Sequence, residues 1–256
     1  MRTARLVALG WLFHLKMLTR SAFDGLLGIL YPLFFATVAF FMFRAGHDRH
    51  TLLYASLGAA VMGVWSSTST SAGAAMQRER WHGTLELLVA APTHFSLVLL
   101  PATIAQTSVG LYSMGATLFW GWALFGIGVS IAHPAAFVLS VVVTVLSIGA
   151  AGFLLAVSFV RYRTAWALGN MLEYPVWLVA GFLVPLSLFP GWVRPISWLL
   201  APTWGMNAIR EAALGGTPFP DAGMCILLGA GYTLVGVLVL DRVLRAARRR
   251  AALSLT

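Results

Sequence analysis

The 256-residue sequence has little charge for its length. Asp, Glu, Lys and Arg together make up 10% of it, and the mean hydropathy is +0.85. Soluble domains carry about a quarter charged residues, so an ordinary soluble class is excluded. Lysine is nearly missing: Lys16 is the only one, and the rest of the 17 basic residues are Arg. A nucleotide-binding P-loop needs a lysine after glycine to hold phosphates, and Lys16 follows Leu15. The chain therefore has no P-loop of its own. Cys225 stands alone, which rules out a disulfide within the chain. Neither H-E-x-x-H nor G-x-S-x-G occurs, which argues against a metalloprotease or an embedded serine hydrolase. The histidines (His14, His47, His50, His82, His94, His133) show no clustered metal-ligand spacing, and His47 and His50 read as solvated loop residues. No metal site is expected. A cleavable signal is also lacking, because the apolar run 6–15 is short and is cut off by Lys16 and Arg20.

Long uncharged runs are what the sequence does have. A hydrocarbon core of roughly 30 Å takes about 20 apolar helical residues to cross. Spans of that size fall at 25–43 and 52–75. Residues 87–160 hold no charge and break at "IAHPAA" (131–136) into spans three and four. Span five runs over 165–189 and span six over 222–240, after which comes "DRVLRAARRR". The expected fold is an all-α integral membrane protein of six transmembrane helices, with 1–256 forming one domain.

The net charge of +9 reads as membrane orientation rather than nucleic-acid binding. With the N-terminus inside, Arg2, Arg5, Lys16, Arg20, Arg78, Arg80, Arg161, Arg163, Arg242, Arg245, Arg248, Arg249 and Arg250 face the cytoplasm. That is 13 basic residues, against four outside: Arg44, Arg49, Arg194 and Arg210. The excess predicts both termini in the cytoplasm. Residues 1–20 read as an amphipathic interfacial helix. At roughly 100° per residue, Arg2, Arg5, Lys16 and Arg20 share an arc of about 60°, opposite Trp11, Leu15 and Leu18. An ordinary basic pre-membrane tail is the plainer alternative.

The segment 188–221, "LFPGWVRPISWLLAPTWGMNAIREAALGGTPFPD", is too apolar for a simple loop, and its prolines forbid one straight helix. Trp192, Trp198 and Trp204 suit a headgroup-level belt. It reads as short helices dipping into the outer leaflet and returning, a re-entrant hairpin. Within the spans, Glu173 is the one acid. It lies about 15 Å along a helix from Arg163, near the midplane. Intramembrane acids mark functional sites by default; the bland alternative is an acid that helps open the helix at Pro175. "SSTSTS" (66–71) places six hydroxyls in a row. Such residues back-bond within a helix and permit close packing, or they line a polar route through Ser67, Thr70 and Ser71.

Charge is concentrated in one island. "RERWHGTLE" (78–86) holds four charged residues in nine, between stretches with none. Thr84 can cap a new helix after Gly83, with Glu86 in its first turn. Trp81, Leu85 and Leu88 make an apolar stripe, and Pro92 closes the segment. The alternatives are a solvated loop and a docking helix for a soluble partner. "RERWHGTLELLVAAP" resembles the R-E-x-x-x-G-T-L-E-x-L-x-x-x-P element in permeases of type-2 ATP-binding-cassette exporters. Downstream, Gly181, Pro185, Pro190, Pro202, Thr203, Arg210 and Gly215 resemble that family's proline-rich progression. The resemblance implies a cytoplasmic coupling helix at 78–91, with Arg78, Glu79, Arg80, Trp81, Gly83, Thr84, Leu85 and Glu86 contacting the ATPase. It implies two separate ATPase subunits carrying ATP and Mg, and no cofactor in this chain. A second permease, identical or paralogous, completes the pathway in the plasma (inner) membrane among its lipids. The hairpin would form an outer gate, with Pro190, Trp192, Pro202, Trp204 and Arg210 at its centre. The expected activity is outward transport of a hydrophobic drug or lipid-like molecule, or else a lipid-linked glycan, with no catalysis by this subunit. The competing reading is a self-contained secondary carrier or channel working through Glu173.

Overall fold

The computed structural model describes residues 2–20, 30, 33–34, 36–38, 40–41, 49–81, 83, 94–128, 130–159 and 165–250. Every regular element among them is helical. We number them α1 (Arg2–Leu18), α2 (Arg49–Trp81), α3 (Ser96–Phe125), α4 (Pro134–Phe159), α5 (Ala165–Val179), α6 (Val193–Trp198), α7 (Ala201–Leu214) and α8 (Pro218–Arg250); a 3-10 turn covers Leu186–Leu188. The described positions between 30 and 41 are also helical and belong to the first expected span. Ala36 and Phe40 are buried there, and Trp120 Nε1 donates to Thr37 Oγ1 at 3.0 Å.

Among the described residues, three helices are long and apolar enough to cross a membrane: Ser96–Phe125, Pro134–Ser158 and Pro218–Val243. α2 has 33 residues, about 50 Å of helix at 1.5 Å per residue. Its hydroxyl-rich middle lowers its hydropathy without shortening it. The break expected at 131–136 is present. Gly126 closes α3 in the left-handed conformation at φ 63°, and Pro134 opens α4, where its missing N–H costs no hydrogen bond. Span five departs from the expected 165–189. α5 stops at Val179, and the chain turns at Gly181, φ 73°, before Pro185 and the 3-10 turn. A positive φ is open to glycine and ends the helix ten residues early.

α2 is central to the packing, meeting α3, α4, α5 and α7, while α8 packs on α4 and α7. The largest buried cluster joins Leu57, Val61, Val64 and Trp65 of α2 to Ile148, Trp177, Phe182, Met206 and Ile209. Small residues set the close distances. A Cβ on Gly110 of α3 would fall 2.8 Å from the Cα of Val64, and one on Gly169 of α5 would fall 2.5 Å from the Ser69 carbonyl oxygen. Lipid tails are as apolar as leucine, so helices in a bilayer associate through this kind of close packing.

α1 is helical over Arg2–Leu18. Trp11, Leu15 and Leu18 are half-buried, whereas Arg5, Lys16 and Arg20 are exposed. It is laid along α3: Gly10 sits against Pro101, and Trp11 Nε1 donates to Ser108 Oγ at 3.1 Å. An apolar cavity of about 610 Å³ lies beside Trp11, between α1, α3 and α4.

Candidate functional site

Two buried ionisable side chains flank α2, one at mid-helix and one toward its start. At mid-helix, Glu173 of α5 is 3% exposed, and Ser66 Oγ donates to its Oε1 at 2.6 Å. The acid and the first residue of the hydroxyl run thus form one node, although they lie more than 100 residues apart in the sequence. Most of the run's remaining hydroxyls turn back on their own helix. Ser67 and Thr68 donate to the Val64 carbonyl, both at 2.9 Å, and Thr70 donates to the Ser66 carbonyl at 2.7 Å. Thr68 also reaches Thr107 Oγ1 of α3 at 2.9 Å. The Ser71 side chain lies outside the described residues.

Arg210 of α7 holds the second position, and the structure assigns it partners that the sequence did not reveal. Its Nη1 donates to the Gly181 carbonyl at 2.8 Å, and its Nη2 donates to the Phe182 carbonyl. The guanidinium carbon lies 3.3 Å from the centre of the Tyr54 ring of α2, a cation–π geometry. Tyr54 and Gly58, which line this cradle, are not marked by the sequence. They sit one helical turn apart in an uncharged run, and nothing in their spacing points to an arginine some 150 residues later.

The other hairpin residues divide by burial. Pro202 and Thr203 are buried at the start of α7, with Pro202 in the first turn, where proline is tolerated. Trp204 is half-buried and donates from Nε1 to the Trp198 carbonyl at 2.9 Å. Pro190 is exposed, and Trp192 is 70% exposed. The hairpin's far end is fastened to the loop before α4, since Ala132 N and His133 N donate to the carbonyls of Ala213 and Ala212, both at 3.0 Å.

The charged island is partly within view. Arg78, Glu79, Arg80 and Trp81 continue α2 rather than starting a separate helix, so the expected segment 78–91 is divided. Gly83 is exposed with φ 67°, the conformation that resets the chain there. Thr84, Leu85 and Glu86 lie outside the described residues.

A bundle of long apolar helices packed about α2, followed by short helices rich in proline and tryptophan, has the build of a multi-pass membrane protein. The ABC-2 type transporter family model matches residues 5–214, and the chain belongs to that family. It is accordingly an ABC transporter permease, a non-catalytic membrane component. No curated protein matches the chain.

Proposed function

We propose that this permease is the membrane half of an ATP-driven exporter, with the free energy supplied at residues 78–86. The observation that carries this reading is α2, one continuous helix from Arg49 to Trp81. Its far end holds the first half of the charged island, its middle holds the Ser66–Glu173 node, and its start holds Tyr54 against Arg210. A movement imposed at the island reaches both buried sites through one unbroken element. Two ATPase subunits, binding ATP and Mg, dock through Arg78, Glu79, Arg80, Trp81, Gly83, Thr84, Leu85 and Glu86. Two permeases, identical or paralogous, form the path in the plasma membrane. The split of 13 to four basic residues puts both termini and the island in the cytoplasm and the proline-rich hairpin outside.

Export of an amphipathic molecule, a drug, lipid or lipid-linked glycan, fits a polar node set in an otherwise apolar interior. Glu173 is the foremost pathway residue. Ser67, Thr70 and Ser71 are the further candidates from the hydroxyl run; Ser67 and Thr70 donate to carbonyls of their own helix. Pro190, Trp192, Pro202, Trp204 and Arg210 shape the outer gate. A secondary carrier working through Glu173 is the alternative, favoured only by the burial of that acid.

Glu86→Lys tests the docking. Removing one partner of a buried charged contact costs about 2–5 kcal/mol, and tenfold in affinity corresponds to about 1.4 kcal/mol. The purified variant should have lost most of its bound ATPase or its stimulated hydrolysis, with the membrane helices still inserted. Full retention of bound ATPase, stimulation and transport would refute the dock.

A further inference from the structure

Near its start, α2 meets the turn that follows α5 at backbone contact. A Cβ on Gly58 would fall 1.7 Å from the Phe182 carbonyl oxygen and 3.0 Å from Arg210 Nη2. Glycine is therefore required for the helix to approach so closely, and the guanidinium fills the corner. Arg210 is 6% exposed, and no carboxylate among the described residues pairs with it. A buried charge needs compensation. Here it comes from two carbonyl dipoles of one turn and from the π face of Tyr54. Its Nε, also buried, has no acceptor among the described residues. Each side of the planar group thus belongs to a different element: α7 carries it, the 181–182 turn accepts from its edge, and α2 covers its face.

We propose that Arg210 is the positioning residue that latches the proline-rich hairpin to α2, so that a displacement of α2 carries the hairpin with it. This rests on the reading of α2 as the element driven from residues 78–86. The geometry is specific to arginine. Lysine presents a compact, strongly hydrated ammonium without a planar fork, and cannot bridge two carbonyls while stacking on a ring. Phenylalanine at 54 keeps the π face; leucine removes it. The carbonyls of Gly181 and Phe182 lie where the chain leaves α5, so the latch acts at the point where the fifth helix opens into the hairpin. Glu173 lies earlier in α5, so α5 and the turn after it carry one buried ionisable group and the carbonyl acceptors of the other.

The test uses the full chain in membranes of its natural host, with Cys225→Ala removing the buried native thiol and Leu188→Cys as the reporter. Leu188 is in the hairpin and 75% exposed. N-ethylmaleimide, which crosses membranes, reads its accessibility with and without ATP depletion. In the parent, labelling should depend on ATP. Arg210→Lys and Tyr54→Leu should each raise the labelling rate about tenfold and abolish the dependence, while Tyr54→Phe stays within twofold of the parent. The double variant Arg210→Lys/Tyr54→Leu should add nothing to either single change, as residues acting in one unit are non-additive. Should Arg210→Lys fail to accumulate as folded protein, the Tyr54 pair still decides. Parental rates in Tyr54→Leu, or equal disturbance by Phe and Leu, would overturn the latch. Labelling insensitive to ATP in the parent would instead sink the ATP-driven reading, while the comparison among variants still judges the latch.

Discussion

Glu173 and Arg210 are both almost fully buried and both touch α2, yet their surroundings differ. Arg210 is held on three sides, by two carbonyls and an aromatic face. Glu173 receives one hydrogen bond among the described residues, from Ser66. A carboxylate offers about four lone-pair sites, so Glu173 keeps acceptor capacity that the described residues do not fill. The contrast separates two uses of a buried charge. A group whose partners enclose it fixes geometry, and a group left under-coordinated is free to meet something that moves.

The strongest way to break this contrast is at Gly58. Valine there would force the Phe182 carbonyl away from α2 and from Arg210 Nη2. The change combines overpacking with the exposure of a buried cation to lost partners, a cost on the order of 3–5 kcal/mol. Gly58→Val should abolish a monodisperse folded peak in detergent size exclusion, and a wild-type thermal midpoint would show that the approach is not tight.

Glu173→Gln sharpens the other side of the comparison. The amide keeps an acceptor for Ser66 and nearly the same volume, but removes the charge. Complex yield and thermal stability should stay within about 1 kcal/mol of the parent, while transport falls tenfold or more. Unchanged transport at normal yield would make Glu173 a structural acid and leave no pathway role for it.

How much of the molecule was legible in its sequence depends on which interactions are local. Charge placement and uncharged length are written along the chain, so helices within 52–75, on either side of the break at 131–136 in 87–160, and within 222–240 could be read directly. The break before Pro134 and the division of 188–221 into short helices were likewise legible, because proline and glycine act on their own backbone. The early end of α5 was not. The span 165–189 has no charge beyond Glu173, and only the conformation of Gly181 stops the helix at Val179. The Arg210 cradle was hidden for another reason. Two of its three partners are carbonyls, which every residue has, and the third, Tyr54, lies 156 positions away. Arg210 itself was marked by its place within the segment 188–221, but as one of the outward-facing basic residues rather than as a buried one. The hydroxyl run was visible as composition, while the direction of each hydroxyl was not.

Hydroxyl direction also yields the smallest expected effect. Ser67 belongs to the same run as Ser66, yet its hydroxyl donates to the Val64 carbonyl one turn back instead of to Glu173. A back-bond of this kind satisfies a polar group without joining two helices. Hydrogen bonds between membrane helices average only about 0.6 kcal/mol, and an intrahelical one should contribute no more to assembly. Ser67 lies close to Gly110, whose missing Cβ would meet Ser67 Oγ at 2.7 Å, so the site tolerates loss of an atom better than gain. Ser67→Ala should therefore leave the thermal midpoint and transport close to parental, whereas Ser66→Ala, which removes the donor to Glu173, should lower transport in the same direction as Glu173→Gln. Parallel measurement of the two alanine variants in one transport assay separates them. A loss at Ser67 as large as that at Ser66 would mean that the hydroxyls act together along a polar route, and that the division between enclosed and available polar groups does not hold within α2.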